Sequence, residues 1–157
     1  MSDRIAVMDQ GRVLQIGTPV EIYEQPASRF IAEFIGESNL LKGTVSAVDG
    51  ETCSIEIGTA TVSGRLTQNN AISKRQEVAL LVRPEMIRLH ALGPNEQPKL
   101  NGTVRETIYQ GSVVRYRIQL ADQELMVEIA NRPDLPRLNL DVDVDVYWNA
   151  DSGVVML

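Results

Sequence analysis

From Leu41 onward the sequence alternates with a period of two, and this pattern most restricts the fold. Thr52-Cys53-Ser54-Ile55-Glu56-Ile57 alternates cleanly, and so does Val114-Arg115-Tyr116-Arg117-Ile118-Gln119-Leu120. Leu125, Val127 and Ile129 share a face, and in Asp141–Val146 the valines are expected to point inward and the aspartates outward. Successive side chains on a strand point to opposite faces, so such runs fit half-buried strands, not helices. The runs are short and broken by Gly, Asn, Pro and Asp, which is the pattern of a small sandwich or barrel. The expected class is therefore mainly β.

The β region carries signs of duplication. Lys42-Gly43-Thr44-Val45 opens one block and Asn101-Gly102-Thr103-Val104 a second. Glu77–Val82 closes the first and Asp143–Trp148 the second in a similar pattern. We read two barrel-like lobes, approximately 41–92 and 99–157, or one double barrel. Gly93-Pro94-Asn95-Glu96-Gln97-Pro98 is the best linker between them.

Residues 1–36 follow a different pattern. Two apolar runs, Arg4–Asp9 and Arg12–Gly17, flank an Asp-Gln-Gly turn and predict a β-hairpin. Thr18, Pro19 and Glu21 form a capping-box start for a short helix that stops before Pro26. Ser28 caps a second helix, Gly36 ends it, and Phe30, Ile31, Phe34 and Ile35 read as one apolar stripe. This segment has more apolar surface than it can cover alone. It is expected to cover the barrel, to swap onto a second copy, or to fray.

Composition removes several functions. Fifteen Lys and Arg against 21 Asp and Glu give a net charge of −6, which repels phosphate backbones. Aromatic residues make up only 4%, too few for single-strand stacking platforms, so no nucleic-acid partner is expected. One histidine and one cysteine cannot build a Cys/His zinc site. His90 alternates with Ile87 and Leu89 at the end of a strand-like run and has no nucleophile motif beside it. There is no Gly-x-x-x-x-Gly-Lys-Ser/Thr loop and no Gly-x-Gly-x-x-Gly. No catalytic, cofactor-binding or metal-binding residue is assigned. No stretch approaches the roughly 20 apolar residues of a membrane helix.

The remaining candidates are surfaces. Arg83 and Glu85 flank Pro84 after a buried-looking strand; they are interface candidates, or else a surface ion pair. Tyr109-Gln110-Gly111-Ser112 reads as a hairpin turn, with Gly111 supplying a positive φ. The row Asp141, Asp143 and Asp145 invites a calcium reading, but the intervening valines impose strand geometry and a solvated acidic face fits better. Backbone amides and Ser/Thr hydroxyls of a small barrel can also hold an oxyanion without leaving a sequence mark.

Met1-Ser2-Asp3-Arg4-Ile5-Ala6-Val7-Met8-Asp9-Gln10-Gly11-Arg12, Gln15-Ile16-Gly17-Thr18-Pro19, Glu21-Ile22-Tyr23, Pro26 and Phe30–Gly36 resemble the end of an ABC importer ATPase domain. Ser38–Leu157, with Leu81-Val82-Arg83-Pro84-Glu85 and the Trp148…Val154-Val155-Met156-Leu157 ending, resembles the accessory TOBE (transport-associated OB) domain of that family. The resemblance implies an OB-like double barrel at 37–157, preceded at 1–36 by the hairpin and two helices that end the nucleotide-binding domain. The stretch Phe34–Asn39 and the Trp148 ending lean towards the polyamine branch (spermidine and putrescine import). The phosphate loop, metal-binding strand, signature motif and switch histidine of the family match nothing in this chain. ATP and Mg²⁺ are therefore expected only for a full-length parent. The resemblance further implies a regulatory and dimer-contact role with no chemistry of its own. It implies a homodimer, transmembrane permease subunits and a periplasmic or extracellular binding protein as partners, and a cytoplasmic position on the membrane's inner face. The rival reading is a module that senses an oxyanion or a small solute.

Overall fold

The computed structural model describes residues 3–67, 71–135 and 137–157; Met1 and Ser2 of the resemblance lie outside them. Strands β1 (Ile5–Asp9) and β2 (Arg12–Gly17) form the expected hairpin. Gln10 (φ 46°) and Gly11 (φ 77°) both sit in the left-handed region that a tight two-residue hairpin turn requires. Helix α1 (Pro19–Glu24) starts with the complete capping box: the Thr18 amide donates to the Glu21 carboxylate and the Glu21 amide to the Thr18 hydroxyl. Helix α2 (Arg29–Ile35) is capped by the Ser28 hydroxyl.

The anticipated α2 stripe divides in two. Ile31 and Ala32 are buried and Ile35 is half-buried, whereas Phe30 and Phe34 are 45% and 69% exposed and stack on each other at 6.0 Å. The reason is geometric. On a seven-residue helix, positions 30 and 34 lie one turn apart and share a face about 100° from that of 31 and 35. The hairpin and α1 cover the second of these faces, and the barrel covers Ala32 beside it. Val7, Ile22 and Ile31 close a small core beneath the hairpin, and Ala32 packs with Leu81, Val154 and Met156.

The β region is built from β3 (Asn39–Asp49), β4 (Thr52–Ile57), β5 (Ala60–Leu66), β6 (Glu77–Val82), β7 (Leu100–Gln110), β8 (Val113–Gln119), β9 (Glu124–Ala130), β10 (Asp143–Val146) and β11 (Val154–Met156). Strands β11-β5-β4-β3-β6 close a barrel, and β10-β7-β8-β9 form an open sheet beside it. One continuous apolar core runs through both, from Leu41 to Val155.

The duplication is present in the backbone. Gly43 faces Val78 and Gly102 faces Val144 across equivalent antiparallel ladders. Each opening strand bulges at the same place, between Val45 and Ala47 and between Val104 and Glu106. Arg75 (φ 70°) and Asp141 (φ 60°) occupy matching left-handed positions, and their amides donate to Val45 and Val104 respectively. Short 3-10 turns follow each closing strand, Pro84–Met86 and Ala150–Ser152. They enter and leave at nearly the same angles: φ −72°, ψ 140° at Arg83, and φ −70°, ψ 145° at Asn149.

The two blocks exchange ends. After β6 the chain crosses to the second sheet, where Arg88 and Tyr147 donate to each other's carbonyls at 2.8 Å. After β10 it crosses back, and β11 inserts between β5 and β6 of the first barrel. The expected lobes 41–92 and 99–157 therefore interlock: Val154–Met156 close the first one. Two amide side chains add to the join. Asn39 makes a two-way bond with Met126 of β9 at 2.8 and 2.7 Å, and Gln123 makes one with Lys42 at 2.9 and 2.6 Å. Each primary amide here stands in for a strand neighbour, presenting one donor and one acceptor to an edge backbone.

The opening glycines are needed for closeness. A Cβ at Gly43 would lie 2.5 Å from Ile55 and 2.7 Å from the Glu56 carbonyl; at Gly102 it would lie 2.6 Å from Ile118 and 2.7 Å from the Gln119 carbonyl. Backbone cannot yield as a side chain tip can, so Gly43→Ala and Gly102→Ala are each expected to cost about 1–3 kcal/mol. Urea unfolding measures this, and Gly93→Ala, where a Cβ meets nothing within 4 Å, provides the neutral control.

Candidate functional site

The structure places the Arg83 and Glu85 pair at the junction between residues 3–36 and the barrel. Arg83 is the residue after β6, where Pro84 ends the strand by removing a backbone donor. The bland sequence reading, a surface ion pair, is overturned: Arg83 is 5% exposed and does not pair with Glu85. Its guanidinium donates to the carbonyls of Ala32, Gly36 and Glu37 at 3.0, 3.0 and 3.2 Å, to that of Tyr23 at 3.2 Å, and to the Ser38 hydroxyl. It also lies over the Tyr23 ring, 4.3 Å from its centre. The end of α2 thus aims its orphan carbonyls at a buried cation, an arrangement that satisfies them and suits the helix dipole. Burial lowers the Arg83 pKa, opposed by its interactions with Tyr23 and Glu85.

Glu85 accepts from the Tyr23 hydroxyl. Burial, then this bond, pushes the phenol up to about 12, so Tyr23 remains a neutral donor throughout the physiological range. Ser38 relays the network to the backbone, donating to Ala32 and Gly36 at 3.2 Å. Glu37 pairs with Arg115 at 2.6 Å and so reaches β8. Tyr23, Ser38, Asn39 and Gln123 were missed as junction residues. A polar residue between an apolar helix and an apolar strand was the available signal for Ser38 and Asn39, while Gln123 left none.

The other candidates lie elsewhere. Tyr109 is 53% exposed near the β7–β8 turn, with Arg137 at 5.4 Å from its ring centre. Gly111 has φ +64°, as expected for this turn; its carbonyl accepts from the Asn131 side chain and that of Ser112 from the Asn131 amide, both at 2.8 Å. Asp141, Asp143 and Asp145 face solvent, each already engaged: with Arg105, with Thr103 at 2.7 Å and with Asn101 at 3.0 Å. The alternation is shorter than expected, because β10 begins at Asp143 and Val142 is 40% exposed. Asp141 is spent on the left-handed turn that precedes the closing strand, as Arg75 is in the first block. Among the described residues no cluster of three or more His, Cys, Asp or Glu is placed to grip a metal ion. His90 is exposed beyond the Arg88 bridge, and Cys53 is buried.

The linker is anchored. Arg88 binds Glu96 through two bonds at 3.1 and 2.7 Å, and the Leu92 amide donates to the same carboxylate at 2.6 Å. Arg88, then Leu92, hold the Glu96 pKa down to about 2.

A family model described as "TOBE domain" matches residues 80–156. The cytoplasmic molybdate-binding protein ModG, in a molybdate-bound crystal form, superposes with a TM-score of 0.63 at 16% identity, covering 85% of this chain and 99% of that one. The chain carries a TOBE domain on an OB-like fold. More narrowly, it is similar along its length to the C-terminal part of the ATP-binding subunits of ABC importers. It is 39% identical over 161 residues to the spermidine/putrescine import ATP-binding protein PotA of Thermobifida fusca, covering 99% of this chain and 41% of that protein. It is 38% identical over 165 residues to PotA of Pseudomonas fluorescens, covering 100% of this chain and 42% of that one. The chain thus spans about two fifths of the length of these relatives.

Arg83→Ala leaves several buried carbonyls unpaired and is expected to cost about 3 kcal/mol or more, while Tyr23→Phe costs about 1 kcal/mol. Hydrogen exchange is expected to show residues 5–35 losing protection first in Arg83→Ala. The Glu96 pKa is lower folded than unfolded. Its contribution is therefore fully present above the ordinary value of 4.5 and is lost as pH falls through that value towards 2. Acid titration of Glu96→Gln is expected to show a shallower loss of stability over that window than the parent chain.

Proposed function

We propose that this chain is the regulatory and dimer-contact region of a polyamine importer's ATP-binding subunit. It has no ATPase activity of its own. The observation that carries this reading is the similarity to PotA proteins along the whole chain, across both the helical segment and the barrels. The Arg83 junction supports it physically. A movement of the segment ending at Gly36 cannot occur without disturbing a guanidinium rooted in the barrel, so the two parts are mechanically coupled. Coupling of this kind lets an event on one body bias the other.

In this reading the exposed apolar side chains of residues 8–34, among them Val20, Phe30 and Phe34, rest on the remainder of the ATPase domain. The barrels of two subunits meet, a permease pair and a solute-binding protein complete the importer, and the assembly lies on the cytoplasmic face of the membrane. Among the described residues no helix is long and apolar enough to cross a bilayer.

A chimera tests it. The matching C-terminal part of Thermobifida fusca PotA is replaced by this chain and spermidine uptake is measured in the reconstituted importer. Uptake is expected to persist, and Arg83→Ala in the chimera is expected to reduce it; loss of uptake with a folded chimera overturns the reading. Sedimentation equilibrium of this chain alone is expected to show a concentration-dependent dimer. Calorimetry with molybdate, sulfate, phosphate and spermidine addresses the rival, solute-sensing reading, which a saturable heat would favour.

A further inference from the structure

The two blocks differ at one seam. In the first barrel β11 closes the gap: Val154 and Val155 run parallel to Arg65 and Leu66 of β5, and the Arg65 amide donates to the Gly153 carbonyl at 2.8 Å. That approach needs bare backbone, since a Cβ at Gly64 would lie 2.7 Å from Val155 and 2.6 Å from Leu80. By the pairing registers, Gly64 corresponds to Val127 of the second block and Cys53 to Tyr116; the matching 3-10 turns make Gly153 correspond to Ile87. Three buried side chains, all larger, therefore stand where the first block has two glycines and a cysteine. Among the described residues the crossing segment at Arg88–His90 bridges only Tyr147, and the sheet order ends at β9. The larger side chains coincide with the line along which the second block stays open.

The opening is a pocket of about 190 Å³ between Leu89 and Ile129, walled also by Val114 and Leu138. Its walls are almost wholly apolar, while Arg132 and Arg137 stand exposed at its mouth. Arg132 is held by Asp134 through bonds at 3.0 and 2.6 Å. Arg137 lies over the Tyr109 ring, and among the described residues no carboxylate pairs with it. In a chain of net charge −6, a guanidinium without an acid at the lip of an apolar hole is the feature to be explained. An apolar cavity of about 150 Å³ takes up benzene, so this one has room for a single ring or a chain of similar bulk. We propose that the unclosed seam of the second barrel binds a small organic carboxylate, its apolar body between Leu89 and Ile129 and its anion on Arg137.

Amide-shift titration of the whole chain tests this with two probes of one shape, benzoate and benzyl alcohol. Benzoate is expected to move the amides of Leu89, His90, Ile129 to Asn131 and Leu138. Arg137→Gln is expected to weaken benzoate about fivefold or more while leaving benzyl alcohol unchanged, and Arg137→Lys to retain most of the affinity. No localised shift with benzoate at about 10 mM overturns the proposal, as does equal binding of benzoate by parent and Arg137→Gln.

Discussion

A single buried guanidinium decides how this chain is put together. Arg83 emerges from the last strand of the closed barrel and meets the backbone at Tyr23, Ala32, Gly36 and Glu37. The apolar contact between the two parts is slight, chiefly Ala32 against Leu81, Val154 and Met156. Contacts of that size do not set an orientation, because dispersion and burial have no direction. Hydrogen bonds from a planar five-donor group do, and a lysine could not reach so many acceptors at once. Among the described residues no carboxylate pairs directly with the cation; it is solvated by carbonyl dipoles, with the Tyr23 ring below and Glu85 reached through the tyrosine hydroxyl.

The barrels are joined on a different principle. Here backbone supplies the direction and two exchanged chain ends supply the permanence. Each block lends the other the segment that follows its closing strand, so neither can unfold without taking an element from its neighbour. The primary amides of Asn39 and Gln123 extend the pairing across the boundary at two further points. Repeats that trade strands can diverge in sequence while retaining the exchange, since only the crossing turns and the opening glycines are geometrically committed. The unequal seams go with that freedom: the closed barrel has glycines at 64 and 153, and the open one has valine and isoleucine in their places.

Much of the candidate surface proved to be internal architecture. Asp141 serves the backbone turn before β10, Asp143 and Asp145 are tied to Thr103 and Asn101, and Gly111 serves its hairpin. Sequence spacing located Arg83 and Glu85 because a proline after a buried strand marks a place where the chain must change partners. It did not show which partner, because Ala32, Gly36 and Glu37 take part through carbonyls, which every residue possesses.

What the amino-acid order determined by itself is the local structure. Period-two runs made strands, Thr18 and Glu21 started a helix, Gln10 and Gly11 turned a hairpin, and repeated Gly-Thr-Val openings announced the duplication; all of these depend on neighbours a few positions apart. Only the tertiary structure decided that residues 154–156 complete the first barrel, that Phe30 and Phe34 face outward while Ile31 packs inward, and that Arg83, an interface candidate or else a surface ion pair by sequence, is buried within the chain. Those outcomes depend on contacts between residues far apart in the chain, Val154 with Arg65, Ile31 with Val7 and Arg83 with Ser38, whose worth is set by packing volume and by the need to satisfy buried polar groups, and neither quantity is written in any local window.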